Sequence, residues 1–437
     1  MLIDIIKEMI FDFQNEVLET GTRRHFEYEV VPKKAFICIG VRRCGKSTLL
    51  YQVISDLMEQ GVQKENILYL NFFDDRLIDI KSGNLSPIID AYYSLYPKKK
   101  GVEKVYFFFD EIQEVKNWEP FIDRIMRTEK CDVFISGSSA KMLSREIATE
   151  MRGRSLAHEL FPFSFKEFLD HHQVDYRHLT SKNKILVRNS FDEYLLKGGF
   201  PEVLNVKEKT RLGILQEYSK TILNRDIIVR NNIKYPQATI RASHKLICSI
   251  SSLYSITRIT NYLRSQGFKI SNSFVSSCLK WFQDAYFLFS VPIFSPSYAK
   301  QNVNPKKIYC IDHALVKSIA PPIFKDYGYL LENIVFIHLR QHTEDIYYYR
   351  TEKRKEVDYL WIDRHYNKSL VQVSLTLKDD KTRNREVKSL LEAMTELDLN
   401  KGLIITLDEE EIIQADNKKI AVVPAWKYLL ADINKTI

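Results

Sequence analysis

The most specific chemistry in the chain lies in Gly40-Val41-Arg42-Arg43-Cys44-Gly45-Lys46-Ser47, a full G-x-x-x-x-G-K-S/T spacing. Glycine at positions 40 and 45 permits backbone angles that other residues avoid, so the loop can wrap an anion. Its amide N–H groups, with the free N–H groups of a following helix, would point at phosphate oxygens. Lys46 would reach the β- and γ-phosphates, and the Ser47 hydroxyl would ligate Mg²⁺. Gly40, Arg42, Arg43, Cys44, Gly45, Lys46, Ser47 and Thr48 are therefore expected to hold ATP. A chance glycine-lysine loop is the bland alternative. Apolar Ala35–Ile39 before the motif and helix-forming Leu49–Ile54 after it supply the context the motif needs.

Two carboxylates, Asp110 and Glu111, close the run Val105–Phe109. Apolar residues too consecutive to alternate describe a central parallel strand buried on both faces. At its end Asp110 would hold the Mg²⁺ shell, and Glu111 would polarise the attacking water as general base. The next apolar run, Asp132–Ala140, leads through Ser136, Gly137, Ser138 and Ser139. Ser138 is the expected γ-phosphate sensor, with Ser139 as a helix cap the plainer reading of this stretch. Arg154 could stabilise transition-state charge, in cis or from a neighbouring subunit of a homo-oligomer; a structural ion pair is the alternative. Asp74 and Asp75 end another apolar run, Asn66–Phe73, and could touch metal-bound water or lie in a solvated loop. No N-K-x-D occurs, which favours ATP over GTP.

At 437 residues the chain exceeds one simple core, and length suggests about three domains. Hydrophobic content of 45% and charged content of 27% are ordinary for globular protein. A net charge of +8, from 64 Lys and Arg against 56 Asp and Glu, is compatible with nucleic acid without demanding it. The six cysteines include no C-x-x-C pair and read as buried hydrophobes in a reduced compartment. Cys44 is the exception: it sits in the phosphate loop near Lys46, where it could be oxidation-sensitive or a bystander. No run of about 20 apolar residues occurs, so neither a membrane span nor a membrane partner is expected. The N-terminal MLIDIIKEMIFDF carries Asp4, Lys7 and Glu8, as an amphipathic helix would and a signal peptide would not. A cytoplasmic location is the expectation.

The segments ICIGVRRCGKSTLL, FFFDEIQEVKNWEPF, ISGSSAKMLSREIATEMRGRS, ELFPFSFKEFL and GGFPEVL follow one another in this order. Their order is similar to that of a family of prokaryotic AAA+-type ATPases of bacteria and archaea, and the resemblance spans essentially the whole chain. It implies that Lys46, Ser47, Asp110 and Glu111 carry ATP hydrolysis and that Arg154 is the arginine sensor or finger. It also implies an α/β fold: a P-loop NTPase parallel sheet with a helical lid, then a winged helix and an α/β nuclease-like domain. The expected divisions are an N-terminal helix and linker over 1–30, an ATPase core over 31–158 and a lid over 159–235. A winged helix over 236–325 and a restriction-endonuclease-like domain over 326–437 follow.

In the middle, Leu160–His171 carries an aromatic stripe at helical spacing that reads as core. Gly198-Gly199 could be a hinge or an ordinary connector. Residues 240–295 give an apolar helix, two short helices and a hydrophobic hairpin, the order of a winged helix. On DNA, Ser273, Ser276, Ser277 and Lys280 would face the groove, with Arg258, Arg264 and Lys269 near the backbone. Basic residues are sparse there, and winged helices also contact proteins.

From Tyr329 a helix, three strands, a helix and a strand resemble the restriction-endonuclease-like fold. Active members gather Mg²⁺ and water with an acid on the helix, an Asp, and a D/E-x-K triplet. The corresponding positions are Glu332, Asp358 and Gln372. Ser374 stands where the lysine is expected, so the domain is expected to be inactive and kept for binding or assembly. Lys353 or Lys355 would be the route to rescue. Lys381, Arg383, Arg385 and Lys388 would follow a phosphate backbone or solvate a helix.

The sequence thus favours a Mg²⁺-dependent AAA+-type ATPase acting on or with double-stranded or branched DNA. Its rival is a nucleotide-switched protein that grips protein partners, and an ATP-dependent nuclease is the third reading.

Overall fold

Consecutive apolar residues leave water on both faces only if a parallel sheet is covered on both sides, and the first third of the chain folds that way. Its elements are α1 (Leu2–Asn15), β1 (Ala35–Ile39), α2 (Lys46–Glu59), β2 (Ile67–Asn71), α3 (Ser86–Leu95), β3 (Val105–Asp110), α4 (Glu119–Thr128), β4 (Cys131–Gly137) and β5 (Ser155–Glu159). The strands order as β2-β3-β4-β1-β5, every neighbouring pair parallel. All five residues of β1 are buried, and so are Phe107, Phe108 and Phe109 of β3. Phe108 stacks on Phe134 of β4 with ring centres 4.5 Å apart. Each such ring taken from water contributes about 2–3 kcal/mol. The amphipathic α1 buries Ile6, Met9, Ile10 and Phe13, with Phe13 stacked on Tyr69 of β2. Because all strands run the same way, the segments after β1, β3 and β4 share one edge of the sheet.

The computed structural model describes residues 2–138, 149, 151, 153–320 and 327–431. It divides into two compact units, one ending at Phe161 and the other beginning at Pro162. Strand β5 carries the first unit past the expected boundary at 158, because its last residues, His158 and Glu159, still pair with β1.

The second unit opens with α5 (Phe165–His171), α6 (Ser181–Lys197) and α7 (Glu208–Thr221). Ser164 and Glu167 close a reciprocal capping box at the start of α5. Then come α8 (Pro236–Ile247), β6 (Leu253–Tyr254), α9 (Ile256–Ser265), α10 (Asn272–Asp284), β7 (Leu288–Val291), α11 (Tyr298–Val303), β8 (Lys306–Cys310) and α12 (His313–Ile319). Strands β6, β8 and β7 form an antiparallel sheet with β8 in the middle. The last elements are α13 (Tyr327–Arg340), β9 (Ile346–Arg350), β10 (Glu356–Ile362), β11 (Lys368–Val373), α14 (Asp380–Glu396), β12 (Lys401–Thr406), β13 (Glu411–Ala415), β14 (Lys418–Pro424) and α15 (Ala425–Leu430). Their strands form one mixed sheet, ordered β13-β14-β12-β11-β10-β9. Val357, Leu360, Leu370, Leu390, Met394 and Ile404 fill the core between this sheet and α14.

Within this unit, buried polar contacts tie the expected lid to the expected middle segment. The Gly199 N–H donates to Asp312 Oδ2 at 2.7 Å, and the His313 ring meets the Tyr194 carbonyl at 2.7 Å. A Cβ at Gly198, whose φ is +77°, would lie 2.5 Å from Asp312 Oδ1. Gly198-Gly199 is therefore a site of close approach, and the hinge reading gives way to it. No described helix is long and apolar enough to cross a membrane.

Candidate nucleotide site

The phosphate loop joins β1 to α2 at the shared strand edge of the first unit. Gly45 takes φ +99° as the residue before α2. A Cβ at Gly40 would sit 2.1 Å from the Leu160 carbonyl oxygen, so the loop passes too close to the chain after β5 for any side chain. Lys46 is buried, its Nζ donating to the carbonyls of Gly40 at 3.3 Å and Val41 at 3.2 Å. The same ammonium lies 3.6 Å from Glu111 Oε1. Burial pulls the Lys46 pKa down, but Glu111 and other nearby acidic groups more than offset it, so the ammonium is held charged.

Asp110 ends β3 with no exposed surface. Its carboxylate accepts from the Ser136 hydroxyl, from Tyr69 Oη at 2.8 Å and from the Ser47 hydroxyl. Burial and then the Glu111 charge push its pKa up, against the lowering effect of those three donors. Glu111 adopts φ +55°, a left-handed backbone that costs a non-glycine residue free energy and recurs at functional sites. Its N–H donates to Ser136 Oγ at 3.0 Å, and Gln113 Nε2 donates to its carboxylate. The same amide reaches Ser138 Oγ at 3.4 Å. The fold thus brings together Gly40, Gly45, Lys46, Ser47, Asp110, Glu111 and Ser138. Ser139 lies outside the described residues.

Arg154 is placed elsewhere. It precedes β5, and its carbonyl accepts from the N–H of Ala35, the first residue of β1. That is the opposite edge of the sheet, one strand length or roughly 16 Å from the phosphate loop. Its guanidinium pairs with the buried Asp123 of α4. Within one copy of the chain it is a structural ion pair, and the cis sensor reading does not hold. Asp74 caps the following turn and pairs with Arg76 at 2.8 Å, as the solvated-loop reading expected. Cys44 is buried and its thiol is pushed up by that burial, so it is the bystander, not a reactive thiolate. Arg42 lies over the Phe73 ring at 5.0 Å, while Arg43 is exposed.

Four residues of this site were not chosen by sequence reasoning, although Ser136 lies in the stretch from which Ser138 was taken. Ser136 and Tyr69 hold Asp110, and Gln113 holds Glu111. The fourth is Arg24, read only as part of a charged link. It is buried, and its guanidinium donates to the Cys44 carbonyl at 2.7 Å and the Phe161 carbonyl at 2.8 Å. Gln52 of α2 fastens the same strap by donating to the carbonyls of Thr20 at 2.6 Å and Thr22 at 2.8 Å. A polar residue inside an apolar strand, such as Tyr69, is the one sequence signal that could have found part of this set.

In the second unit, Ser273, Ser276 and Lys280 of α10 line a groove of about 760 Å³ against the β7–β8 ribbon, with Asn272, Asn304 and Lys306. Arg264 is exposed, and its Nε donates to the Ile270 carbonyl at 3.0 Å, supporting the loop before α10. Asp358 and Gln372 meet in the C-terminal sheet, where the Asp358 N–H donates to Gln372 Oε1 at 3.2 Å. Glu332 of α13 reaches the same place. Ser374 faces away, donating to the Thr376 carbonyl at 3.0 Å. Neither rescue candidate reaches the cluster: Lys355 pairs with Glu392 at 2.9 Å, and Lys353 is exposed.

A family model described as an AAA domain matches residues 12–169, and two described as domains of unknown function, DUF8612 and DUF4143, match 188–321 and 327–428. The "Uncharacterized protein MJ1544" of Methanocaldococcus jannaschii is 35% identical over 420 residues, covering 93% of this chain and 90% of that protein. An "Uncharacterized protein" of Haemophilus influenzae is 31% identical over 395 residues, covering 89% of this chain and 92% of its own. Among solved structures, the Aeropyrum pernix ORC1 protein in complex with DNA aligns over 67% of this chain and 87% of that one, at 11% identity and a TM-score of 0.32. A likeness of that size carries no further argument. The chain belongs to the same family as the M. jannaschii and H. influenzae proteins, and its first unit carries an AAA domain.

Proposed function

We propose that the chain is a Mg²⁺-dependent ATPase whose turnover is coupled to DNA. The observation that carries the first half is the convergence of Lys46, Ser47, Asp110 and Glu111 at one strand edge, with Glu111 3.6 Å from the lysine. The phosphate loop and the start of α2 would cradle the triphosphate with backbone N–H groups. Lys46 would exchange its loop carbonyls and Glu111 for phosphate oxygens. The hydroxyl of Ser47 and the carboxylate of Asp110 are hard oxygen donors already in contact, a set that suits Mg²⁺. When bound, the ion would neutralise charge on the β- and γ-phosphates. Glu111, oriented by Gln113, would accept the proton of the water that attacks the γ-phosphorus, releasing ADP and phosphate.

The second half rests on the middle segment. Its element order and its antiparallel sheet support a winged helix, with α10 as the recognition helix. The groove beside α10 offers hydroxyl, amide and ammonium groups suited to phosphates and base edges. At the tip of the β7–β8 ribbon Tyr298 and Lys300 stand exposed. Sparse positive charge keeps one rival in play, a switch that grips protein partners.

The test is steady-state ATP hydrolysis with and without single-stranded, duplex and branched DNA, at low and moderate salt. The proposal expects turnover lost in Glu111→Gln and stimulated by one DNA shape, with stimulation fading as salt rises. Turnover indifferent to every DNA would transfer the second half to the protein-partner reading. Undiminished turnover in Glu111→Gln would overturn the first.

A further inference from the structure

Glu332, Asp358 and Gln372, the expected metal positions of a degenerate nuclease, come together at the C-terminal sheet, but a lysine from another element bridges Glu332 and Asp358. Lys307 belongs to β8, the middle strand of the three-stranded sheet. Its side chain is only 3% exposed. Its Nζ lies 2.7 Å from Asp358 Oδ1, 3.0 Å from Glu332 Oε1 and 3.1 Å from Glu356 Oε1. Two residues further along β8, on the same face of the strand, Tyr309 Oη donates to Glu332 Oε1 at 2.7 Å. The remaining groups are also committed. Asp358 Oδ2 accepts from the Val373 N–H at 2.9 Å, and Gln372 Nε2 donates to Glu386 Oε2 at 2.7 Å.

We propose that Lys307 is the resident cation of this cluster, its ammonium standing where the sequence pattern calls for a divalent metal ion, and that it fastens the β7–β8 ribbon to the C-terminal sheet.

Charge accounting supports this. Glu356 also faces Arg350 at 3.4 Å, so two cations serve three carboxylates. Each carboxylate of the cluster has a cationic partner within 3.1 Å. Lys307 is committed to three carboxylates within 3.1 Å, which is the position of a counter-ion. Backbone pairing reinforces the fastening. Just after β7, the Phe294 N–H donates to the Tyr348 carbonyl of β9 at 2.8 Å, and the Tyr348 N–H to the Pro292 carbonyl at 3.0 Å. The ribbon that forms one wall of the groove beside α10 is thus held by the C-terminal sheet at two places.

The test uses the full chain without nucleotide. Mn²⁺ binding by electron paramagnetic resonance and thermal unfolding are compared for the natural protein, Lys307→Ala and Lys307→Ala/Asp358→Asn. The natural protein should take up no Mn²⁺ that depends on Asp358. Lys307→Ala should melt about 10 °C lower, bind one additional Mn²⁺ that the double variant lacks, and recover part of its melting temperature with that ion. Asp358-dependent Mn²⁺ uptake by the natural protein would overturn the proposal, as would a folded Lys307→Ala that takes up none. If Lys307→Ala does not fold, Lys307→Met/Glu332→Gln/Asp358→Asn decides. Removing the charges together should restore folding, and continued failure would show that Lys307 is not acting as their counter-ion.

Discussion

Lys46 Nζ lies 3.6 Å from Glu111 Oε1, and the two side chains are 2% and 9% exposed. The residue that would bind the γ-phosphate and the one that would activate water are thus each other's counter-ion. ATP must compete with Glu111 for the ammonium, so the pair opposes binding while it readies the base. Glu111→Gln removes the competing charge. It should bind ATP several-fold more tightly and hydrolyse it about 10²–10⁴-fold more slowly. Equilibrium binding of a fluorescent ATP analogue with single-turnover hydrolysis checks both, and weaker binding in the variant would contradict the competition.

Arg24 holds the phosphate loop from behind. Its two donors take the Cys44 and Phe161 carbonyls, which are otherwise buried acceptors costing about 1–3 kcal/mol each when left unpaired. By fixing the Cys44 carbonyl, Arg24 would hold the loop in the conformation that offers its N–H groups to phosphate. Arg24→Ala should raise the ATP dissociation constant about 10-fold while turnover at saturation stays within about threefold, and Arg24→Lys should fall between. A loss confined to melting temperature, with unchanged nucleotide affinity, would reduce Arg24 to a packing role.

Arg154 and Asp123 form a partly exposed pair that Arg127 shares from the other side, at 3.1 Å from Asp123. Arg154→Ala should therefore cost about 1 kcal/mol of stability or less. In dilute protein it should leave ATP turnover unchanged. Turnover measured across protein concentration checks this. A loss of about tenfold that appears only as copies associate would show that the arginine serves a neighbouring copy's site.

Glu332 gives the second unit a pH signature. Its folded pKa is raised from 4.5 to about 8, so between those values the folded state binds a proton that the unfolded state has released. Stability then falls as pH rises through that window. Glu332→Gln, which keeps the uncharged form, should show a flatter melting profile from pH 5 to 8 and gain on the natural protein toward the alkaline end. Parallel profiles for the two proteins would place Glu332 in its charged form throughout.

Much of the nucleotide site was legible in the sequence because its parts are contiguous. A strand, a loop and a helix start lie within residues 35–59, and an apolar strand ends at once in Asp110 and Glu111. The choice along β4 was less legible. Ser136 and Ser138 lie on the same side of an extended chain, and only the packing of β3 beside β4 sets Ser136 against Asp110 and Ser138 against Gln113. The choice among the readings of Arg154 was not legible, because its neighbourhood in sequence does not reveal which end of the sheet it occupies. It enters β5 at the N-terminal edge, whereas the phosphate loop leaves β1 at the other.

By itself the sequence determined which segments leave water, where they turn, and which residues could hold a triphosphate, since periodicity and loop chemistry are local properties. Tertiary structure decided the partners of the buried charges. Arg24 finds a carbonyl 137 residues away, and Lys307 finds a carboxylate 51 residues away. A charge can be buried only where the folded chain supplies opposite charge or donors, and nothing near it in sequence says from which strand they come. For that reason the cation of the C-terminal cluster could be found only in the fold, where β8 carries it in from outside the C-terminal sheet.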